Sequence, residues 1–279
     1  MKYEELATRF HCHGDALFGV VAAPEAPART GVLIVVGGPQ YRAGSHRQFI
    51  ALARALAAAG VANLRFDHRG MGDSEGEARD FTQLDEDIAA AIEHLLRAVP
   101  TLQRVVIWGL CDAASAALMY RQRRADPRLA GLVLLNPWVR TEVTQAQTRL
   151  KHYYLQRLTS REFWLKFLRG GVNLLGSMGE LKSQVGTVMR KPGDKAQDGA
   201  DYLTLMQRAL AATDMPYLLI LSGNDYTAKE FSGWWRGAAG EAATAHITRV
   251  EVDEADHTFS RADWKAAVNM HSVEWMKKL

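Results

Sequence analysis

Cys111 is the residue of this chain whose surroundings best suit nucleophilic chemistry. It follows an apolar run, and Gly109 and Ala113 lie two residues before and two residues after it. A strained turn between a strand and a helix needs small residues at these two positions, because larger side chains would clash there. The following helix directs free N–H groups and the positive end of its dipole at the cysteine, which favours the thiolate. The sequence therefore predicts Cys111 as the nucleophile of an acyl-transfer reaction.

Two other interpretations of this segment are open on the sequence alone. A structural cysteine buried at a strand end would have the same apolar neighbours. Ser115 is a second candidate nucleophile, although it falls inside the helix, where a serine hydroxyl tends to bond to a backbone carbonyl. Cys12 has no comparable turn around it, and we expect it to pack in the interior.

A nucleophilic cysteine needs a base, and the base needs a group that orients it. Of the nine histidines, His257 is the candidate base, because it falls in a loop between the last predicted strand and the last predicted helix. His46 and His68 also fall in loops after strands and are lesser candidates. The other histidines fall on helices, at strand starts or in the N-terminal segment, where we expect surface or packing roles.

The acid that orients the base should follow another strand. Asp225 comes directly after the apolar run 216–222 and is the candidate, with a turn or helix-capping aspartate as the alternative interpretation. Asp253 and Asp256 share the loop of His257 and would have difficulty in reaching its Nδ1. The preceding strand is followed by Asn136, which offers no carboxylate. We expect Asp67, after an earlier strand, to fix loops, with a catalytic role as the lesser alternative.

Acyl transfer also needs backbone N–H groups aimed at the oxygen on which negative charge develops. The N–H of Asp112, the residue after the nucleophile, is one expected donor. The second should come from the glycine-rich loop that follows the run 31–36. Gly38 is the expected donor and Gln40 the alternative, because the residue between them is Pro39, which has no N–H.

Length and composition bound the class of protein. The chain has 279 residues with 48% hydrophobic and 23% charged residues, which is typical of a globular protein. The formal net charge of +3 argues against a dedicated nucleic-acid-binding protein. Two cysteines cannot form a disulfide framework or a cysteine-rich zinc site. We expect a cytoplasmic protein without a metal or cofactor, and no apolar run approaches the roughly 18 residues of a membrane helix.

Short apolar runs alternate with helical patterns along most of the chain. The runs are nearly continuous in Val, Ile and Leu, as in parallel strands covered by helices on both faces. Ser45 is expected to cap the first helix and Gly60 to follow its end. The predicted strands are 15–23, 31–38, 61–67, 104–110, 130–136, 216–222 and 246–252. The predicted helices are 45–60, 81–99, 112–124, 227–239 and 262–278.

This alternation stops at a long segment that has helical character and no convincing strand. It spans residues 140–214 and is too long for a plain connection. We interpret it as a helical cap over the carboxyl ends of the strands, inserted into a core domain formed by 1–139 and 215–279. The cap carries 12 basic and 7 acidic residues, so the positive charge of the chain belongs to it.

Five segments together resemble the exosortase A system-associated hydrolase 1 family, within the α/β-hydrolase superfamily. They are GVLIVVGGPQYRAGSHRQF, LRFDHRGMGDSEG, WGLCDAASAAL, LVLLNPWVRTE and LKHYYLQRL. The resemblance covers most of the chain. It implies an α/β-hydrolase fold and a gene neighbourhood of exopolysaccharide synthesis and exosortase-dependent protein sorting in Gram-negative bacteria. The superfamily pattern, in its order of nucleophile, acid and histidine, implies Cys111 as nucleophile, Asp225 as acid and His257 as base.

The expected function is hydrolysis of an acyl ester or thioester through a Cys-His-Asp triad and an acyl-enzyme intermediate. An acyltransferase with the same triad, and a catalytically silent scaffold that binds a partner, are the alternatives. The expected partner is a small-molecule acyl substrate. An acyl carrier, an anionic glycan or the membrane surface is a candidate partner for the basic cap, and nucleic acid is not expected.

Overall fold

The computed structural model describes residues 1–38, 40–140, 194–239 and 245–279. Within these ranges the chain forms eight strands and six α-helices. The strands are β1 (Tyr3–Cys12), β2 (Asp15–Pro24), β3 (Thr30–Val35), β4 (Asn63–Phe66), β5 (Arg104–Leu110), β6 (Leu129–Leu135), β7 (Tyr217–Ser222) and β8 (Ile247–Val252). The helices are α1 (Gln48–Ala58), α2 (Asp85–Ala98), α3 (Asp112–Arg124), α4 (Asp194–Ala211), α5 (Tyr226–Ala239) and α6 (Ala262–Met276), with 3₁₀ turns at Ser45–Arg47 and Phe81–Gln83.

One eight-stranded sheet orders the chain as β1-β2-β4-β3-β5-β6-β7-β8. The pairs β1–β2 and β2–β4 are antiparallel, and all other neighbouring strands are parallel. This order confirms the predicted α/β-hydrolase fold. Because parallel strands end at the same edge of a sheet, the loops after β3, β5, β6, β7 and β8 meet at one edge.

Helices cover both faces of the sheet, as the continuous apolar strands predict. Val32 and Ile34 of β3 lie in one core cluster with Phe49 of α1 and Trp275 of α6. Successive residues of a strand face opposite sides, so Leu33 points to the other face, where α2 and α3 contact β3. The central strands are therefore buried on both faces and form a rigid base for the loops at their ends.

Two local features differ from the sequence-based predictions. The edge strand β1 was not expected, because its apolar residues are interspersed with charged ones that face solvent on an outer strand. The prediction that Ser45 caps the first helix is wrong. His46 and Arg47 adopt positive φ angles of 53° and 58°, so Ser45–Arg47 forms a separate turn and α1 begins only at Gln48.

The chain divides into two units, Met1–Val139 with Thr204–Leu279, and Arg140–Leu203. Residues 141–193, which carry most of the predicted cap, lie outside the described residues, so the cap stays a prediction. In the part of the second unit that is described, residues from 194 onward are helical. Among the described residues, no helix is both long enough and apolar enough to cross a bilayer.

Buried charges fix the loop that follows β4. Asp67 is fully buried and accepts hydrogen bonds from the guanidinium and the backbone N–H of Arg42, and from the backbone N–H of Asp73. Arg69 forms a two-pronged ion pair with Asp87 of α2, with N–O distances of 2.8 and 3.1 Å. These contacts give Asp67 the loop-fixing role expected from the sequence, and they tie the loop after β3 to the loop after β4. Arg69 anchors the second of these loops to α2.

The Arg69–Asp87 pair yields a stability prediction. Replacing Asp87 by alanine leaves the buried Arg69 guanidinium without its partner, which should lower the free energy of unfolding by about 3–5 kcal/mol. Chemical denaturation measures this change. The matched control is Glu93→Ala, which removes an exposed ion pair with Arg97 on the same helix and should cost less than about 1 kcal/mol. Equal losses in the two variants would contradict the role of the buried pair.

Candidate active site

The turn between β5 and α3 holds Cys111 in a strained conformation. Cys111 has φ 62° and ψ −124°, a region that residues other than glycine rarely adopt. Its backbone N–H donates to the carbonyl of Leu135 at the end of β6, over 2.8 Å. A Cβ on Gly109 would lie 2.7 Å from the backbone of Ala113, so only glycine fits there. The half-buried thiol thus stands at the N-terminus of α3, as the spacing of small residues predicts.

His257 and Asp225 meet at the same edge of the sheet. Asp225 follows β7 at the start of α5 and is 8% exposed, and His257 lies in the loop after β8. The Nδ1–H of His257 donates to Oδ2 of Asp225 over 2.9 Å. The same carboxylate oxygen accepts the backbone N–H of Ala228 over 2.9 Å, which fixes its orientation. Together with Asp225, the neighbouring thiol of Cys111 raises the pKa of the imidazole, so the three side chains lie together at this edge.

The partners of the imidazole favour its charged form. The hydrogen bond to Asp225, followed by the one to Cys111, raises the pKa of His257 to about 10 and outweighs the opposite effect of burial. Burial alone would raise the pKa of Asp225, but the hydrogen bond and charge of His257 lower it below its usual value. At neutral pH the pair is therefore an imidazolium beside a carboxylate.

Asn136 organises the loop that carries His257, a role not predicted from the sequence. It is fully buried after β6, and its Nδ2–H₂ group donates to Oγ of Ser222 and to the backbone carbonyl of His257, over 2.8 and 3.1 Å. Asp256 accepts hydrogen bonds from Ser260 and Thr258 within the same loop. A polar residue directly after an apolar strand was the available signal for Asn136. The sequence does not show which loop its amide would reach.

The two expected oxyanion donors of the loop after β3 have other acceptors in this structure. The N–H of Gly38 donates to Oδ2 of Asp112 over 2.9 Å. The N–H of Gln40 donates to the carbonyl of Gly38 over 2.8 Å, and its side-chain Oε1 accepts the N–H of Ser45. The Gly38 N–H therefore lies beside the turn of Cys111, but it donates to a side chain of the protein itself.

The remaining candidates lie in less favourable positions. Ser115 is fully buried, and its hydroxyl donates to the backbone carbonyl of Trp138 over 2.7 Å. Cys12 is buried at the end of β1, where burial and then the charge of Asp87 raise the pKa of its thiol to about 11. His46 is exposed in the turn before α1. His68 is buried, and its Nδ1 contacts the backbone carbonyl of Arg69.

The chain matches the family described as serine aminopeptidase, S33, over residues 28–259. This range includes the whole candidate site, from the loop after β3 to His257. No curated protein is significantly similar to the chain.

Three solved structures share the fold over nearly the whole chain, each with a TM-score of 0.64. The esterase Pf2001 from Pyrococcus furiosus is 14% identical and matches 99% of this chain and 93% of its own. A dienelactone hydrolase from Anabaena variabilis is 16% identical, with 100% and 99% coverage. Est1E from Butyrivibrio proteoclasticus, solved with ferulic acid bound, is 15% identical, with 98% coverage of both chains. At sequence identities of 14–16%, this structural similarity establishes the fold.

The Asp225–His257 pair predicts a defined pH dependence of stability. The raised pKa of His257 means that its contribution is complete below about pH 6.5 and is lost as the pH rises toward about 10. The lowered pKa of Asp225 means that its contribution is present above about pH 4 and is lost in acid. Asp225→Asn should therefore lose the most stability between about pH 4 and 6.5. Urea denaturation of both proteins across pH 3–10 measures the difference.

Asp263→Asn is the control for this experiment, because it removes an exposed carboxylate outside the site. Its stability difference from the wild type should be small at every pH. A difference for Asp225→Asn that is constant from pH 4 to 10 would contradict a charged histidine beside this carboxylate.

Proposed function

The chain belongs to the serine aminopeptidase S33 family, and from this premise we propose that it hydrolyses acyl esters or thioesters with Cys111 as the nucleophile. The name of the family specifies a serine, and this chain has a cysteine at the turn between β5 and α3. The observation that carries the proposal is the contact of His257 with Asp225 on one side and with Cys111 on the other. A nucleophile, a proton carrier and an orienting acid in contact are the elements of covalent acyl transfer.

The proposed reaction begins with a thiolate and an imidazolium. The sulfur of Cys111 attacks the acyl carbonyl, a C–S bond forms, and the π electrons move to the carbonyl oxygen. The protonated Nε2 of His257 then gives its proton to the departing alkoxide or thiolate as the bond to the acyl carbon breaks. Neutral His257 next takes a proton from water, which attacks the acyl-enzyme and releases the acid and the thiolate. The carboxylate of Asp225 stabilises the imidazolium before and after this cycle.

A cysteine nucleophile bears on the class of substrate. In the tetrahedral intermediate the Cys111 sulfur competes with the substrate's own leaving group, and a thiolate leaves readily. Thiolates, and alkoxides whose parent alcohols have low pKa values, leave more easily than amines. An amine must first be protonated. We therefore propose thioesters and activated esters as substrates and not the amide bonds of an aminopeptidase.

The proposed setting and partners derive from the sequence. The resemblance to the exosortase A system-associated hydrolase 1 family supports a link to exopolysaccharide or exosortase systems. An acyl carrier or an anionic glycan would suit the predicted basic cap, whose segment 149–169 carries six Lys or Arg residues and one Glu. That segment lies outside the described residues, so charge complementarity in the sequence is its only support.

Turnover by Cys111→Ala tests the proposed nucleophile. We expect this variant to lose hydrolysis of an aryl thioester by at least about 10³-fold, because the acyl-enzyme can no longer form. Cys12→Ala is the matched control and should keep the wild-type rate, because Cys12 is buried away from the turn. Initial rates with S-phenyl thioacetate, p-nitrophenyl acetate and an aminoacyl arylamide compare the three substrate classes.

Two results would contradict the proposal. Loss of activity in Ser115→Ala with full activity in Cys111→Ala would move the nucleophile to Ser115. Faster cleavage of the arylamide than of the thioester would indicate an aminopeptidase.

A further inference from the structure

The carboxylate of Asp112 lies where the negative oxygen of a tetrahedral intermediate would be bound. In this fold the oxyanion is held by the N–H of the residue after the nucleophile and by an N–H from the loop after β3. Here these groups belong to Asp112 and Gly38. The Gly38 N–H donates to Oδ2 of Asp112 over 2.9 Å. The internal carboxylate thus occupies one of the two expected donors.

The carboxylate fits tightly in this position but is poorly satisfied there. Its other oxygen, Oδ1, is inaccessible to solvent and has no hydrogen-bond partner among the described residues. A Cβ on Gly37 would overlap Oδ1, so the glycine-rich loop leaves room for this side chain. Burial raises the pKa of Asp112, although the N–H groups of Gly38 and Ala113 and the charge of His68 act in the opposite direction. An orphaned buried oxygen costs stability, so the need for a stable fold does not explain this arrangement.

We propose that Asp112 is a specificity-determining residue whose carboxylate occupies the oxyanion hole and must rotate out before an acyl carbonyl can bind. This inference rests on the proposed function, because an oxyanion forms only if Cys111 attacks a carbonyl. Two negative oxygens cannot share the same N–H donors, and each would raise the free energy of the other. The resting site should therefore react slowly with small acyl groups, which offer few contacts besides the carbonyl oxygen.

Displacement of the carboxylate must be driven by binding energy from the rest of the substrate. Contacts remote from the reacting carbonyl can supply that energy, because they form before the bond-making step. A small ester or thioester has few such contacts and must displace Asp112 without help. We therefore infer that the substrate class is a large acyl donor and that Asp112 discriminates against small ones.

Alkylation and acylation of Cys111 separate this role from the reactivity of the thiol. Iodoacetamide alkylates the thiolate by displacing iodide, and no negative oxygen develops. S-Phenyl thioacetate acylates the same thiolate through an oxyanion. Both rates depend on the thiolate, but only acylation depends on the oxyanion hole. The ratio of the acylation rate to the alkylation rate therefore measures how well the oxyanion hole can bind the developing negative oxygen.

The test compares this ratio in the wild type, Asp112→Ala, Asp112→Asn and the control Asp263→Asn, with intact-protein and peptide mass spectrometry to locate the label. Removal of the carboxylate should raise the ratio by about 10-fold or more in Asp112→Ala, since one oxyanion donor alone is worth about 10²–10³ in rate. Asp112→Asn keeps the shape without the charge, should give a smaller rise, and serves if the alanine variant does not fold. Asp263→Asn should match the wild type, because that carboxylate is exposed on α6.

The possible failures are distinguishable. A ratio that stays constant or falls in both Asp112 variants, with the label on Cys111, would refute the role of Asp112 and leave the proposed function intact. Acyl label on a residue other than Cys111 would refute the proposed function itself.

Discussion

The turn at Cys111 is the constraint on which the rest of the site depends. A residue with φ 62° between a buried strand and a helix has little freedom to move, because β5, β6 and α3 hold its backbone. The backbone hydrogen bond from Cys111 to Leu135 ties the turn to the neighbouring strand, and the contact of Gly109 with Ala113 sets how closely α3 approaches β5. Strain of this kind persists only where the surrounding structure enforces it. The sulfur is consequently a fixed point, and its partners must be brought to it by other loops.

The hydrophobic core cannot position those loops, so buried polar groups do. The core fixes the strands, but the loops at their carboxyl ends need directional bonds. Asp67 joins the loops after β3 and β4, and Arg69 anchors the second of them to α2. Asn136 bonds both to Ser222 at the end of β7 and to the backbone of His257. Each of these groups is buried and carries several hydrogen bonds, which is the condition for a buried polar group to be tolerated.

Patterns of residue type predicted most of the fold and the elements that carry the candidate site. The buried central strands β3, β5, β6 and β7 were identifiable because residues apolar on both faces have no other good environment in a chain of this length. The edge strand β1 was missed, since half of its side chains face solvent. The spacing around Cys111, and the positions of Asp225 and His257 after strands, indicated which side chains would meet, because parallel topology brings strand ends together. The acceptors of the N–H groups could not be predicted, because they depend on one side-chain rotamer of Asp112 and on the path of the loop through Gly37 and Gly38.

The position of Asp112 is not the one that would stabilise the fold most, and it bears directly on the proposed chemistry. An acidic residue in the first turn of a helix is favourable, since it interacts with the free N–H groups and the dipole. An exposed carboxylate would give that stabilisation without burial, whereas Asp112 has one oxygen enclosed without a partner. The Gly38 N–H that binds its Oδ2 is one of the groups that the proposed reaction would need for the oxyanion. A site that binds its own carboxylate in this way is already organised for a negative oxygen. In the proposed reaction, the energy needed to exchange one anion for the other would be part of the barrier that distinguishes substrates.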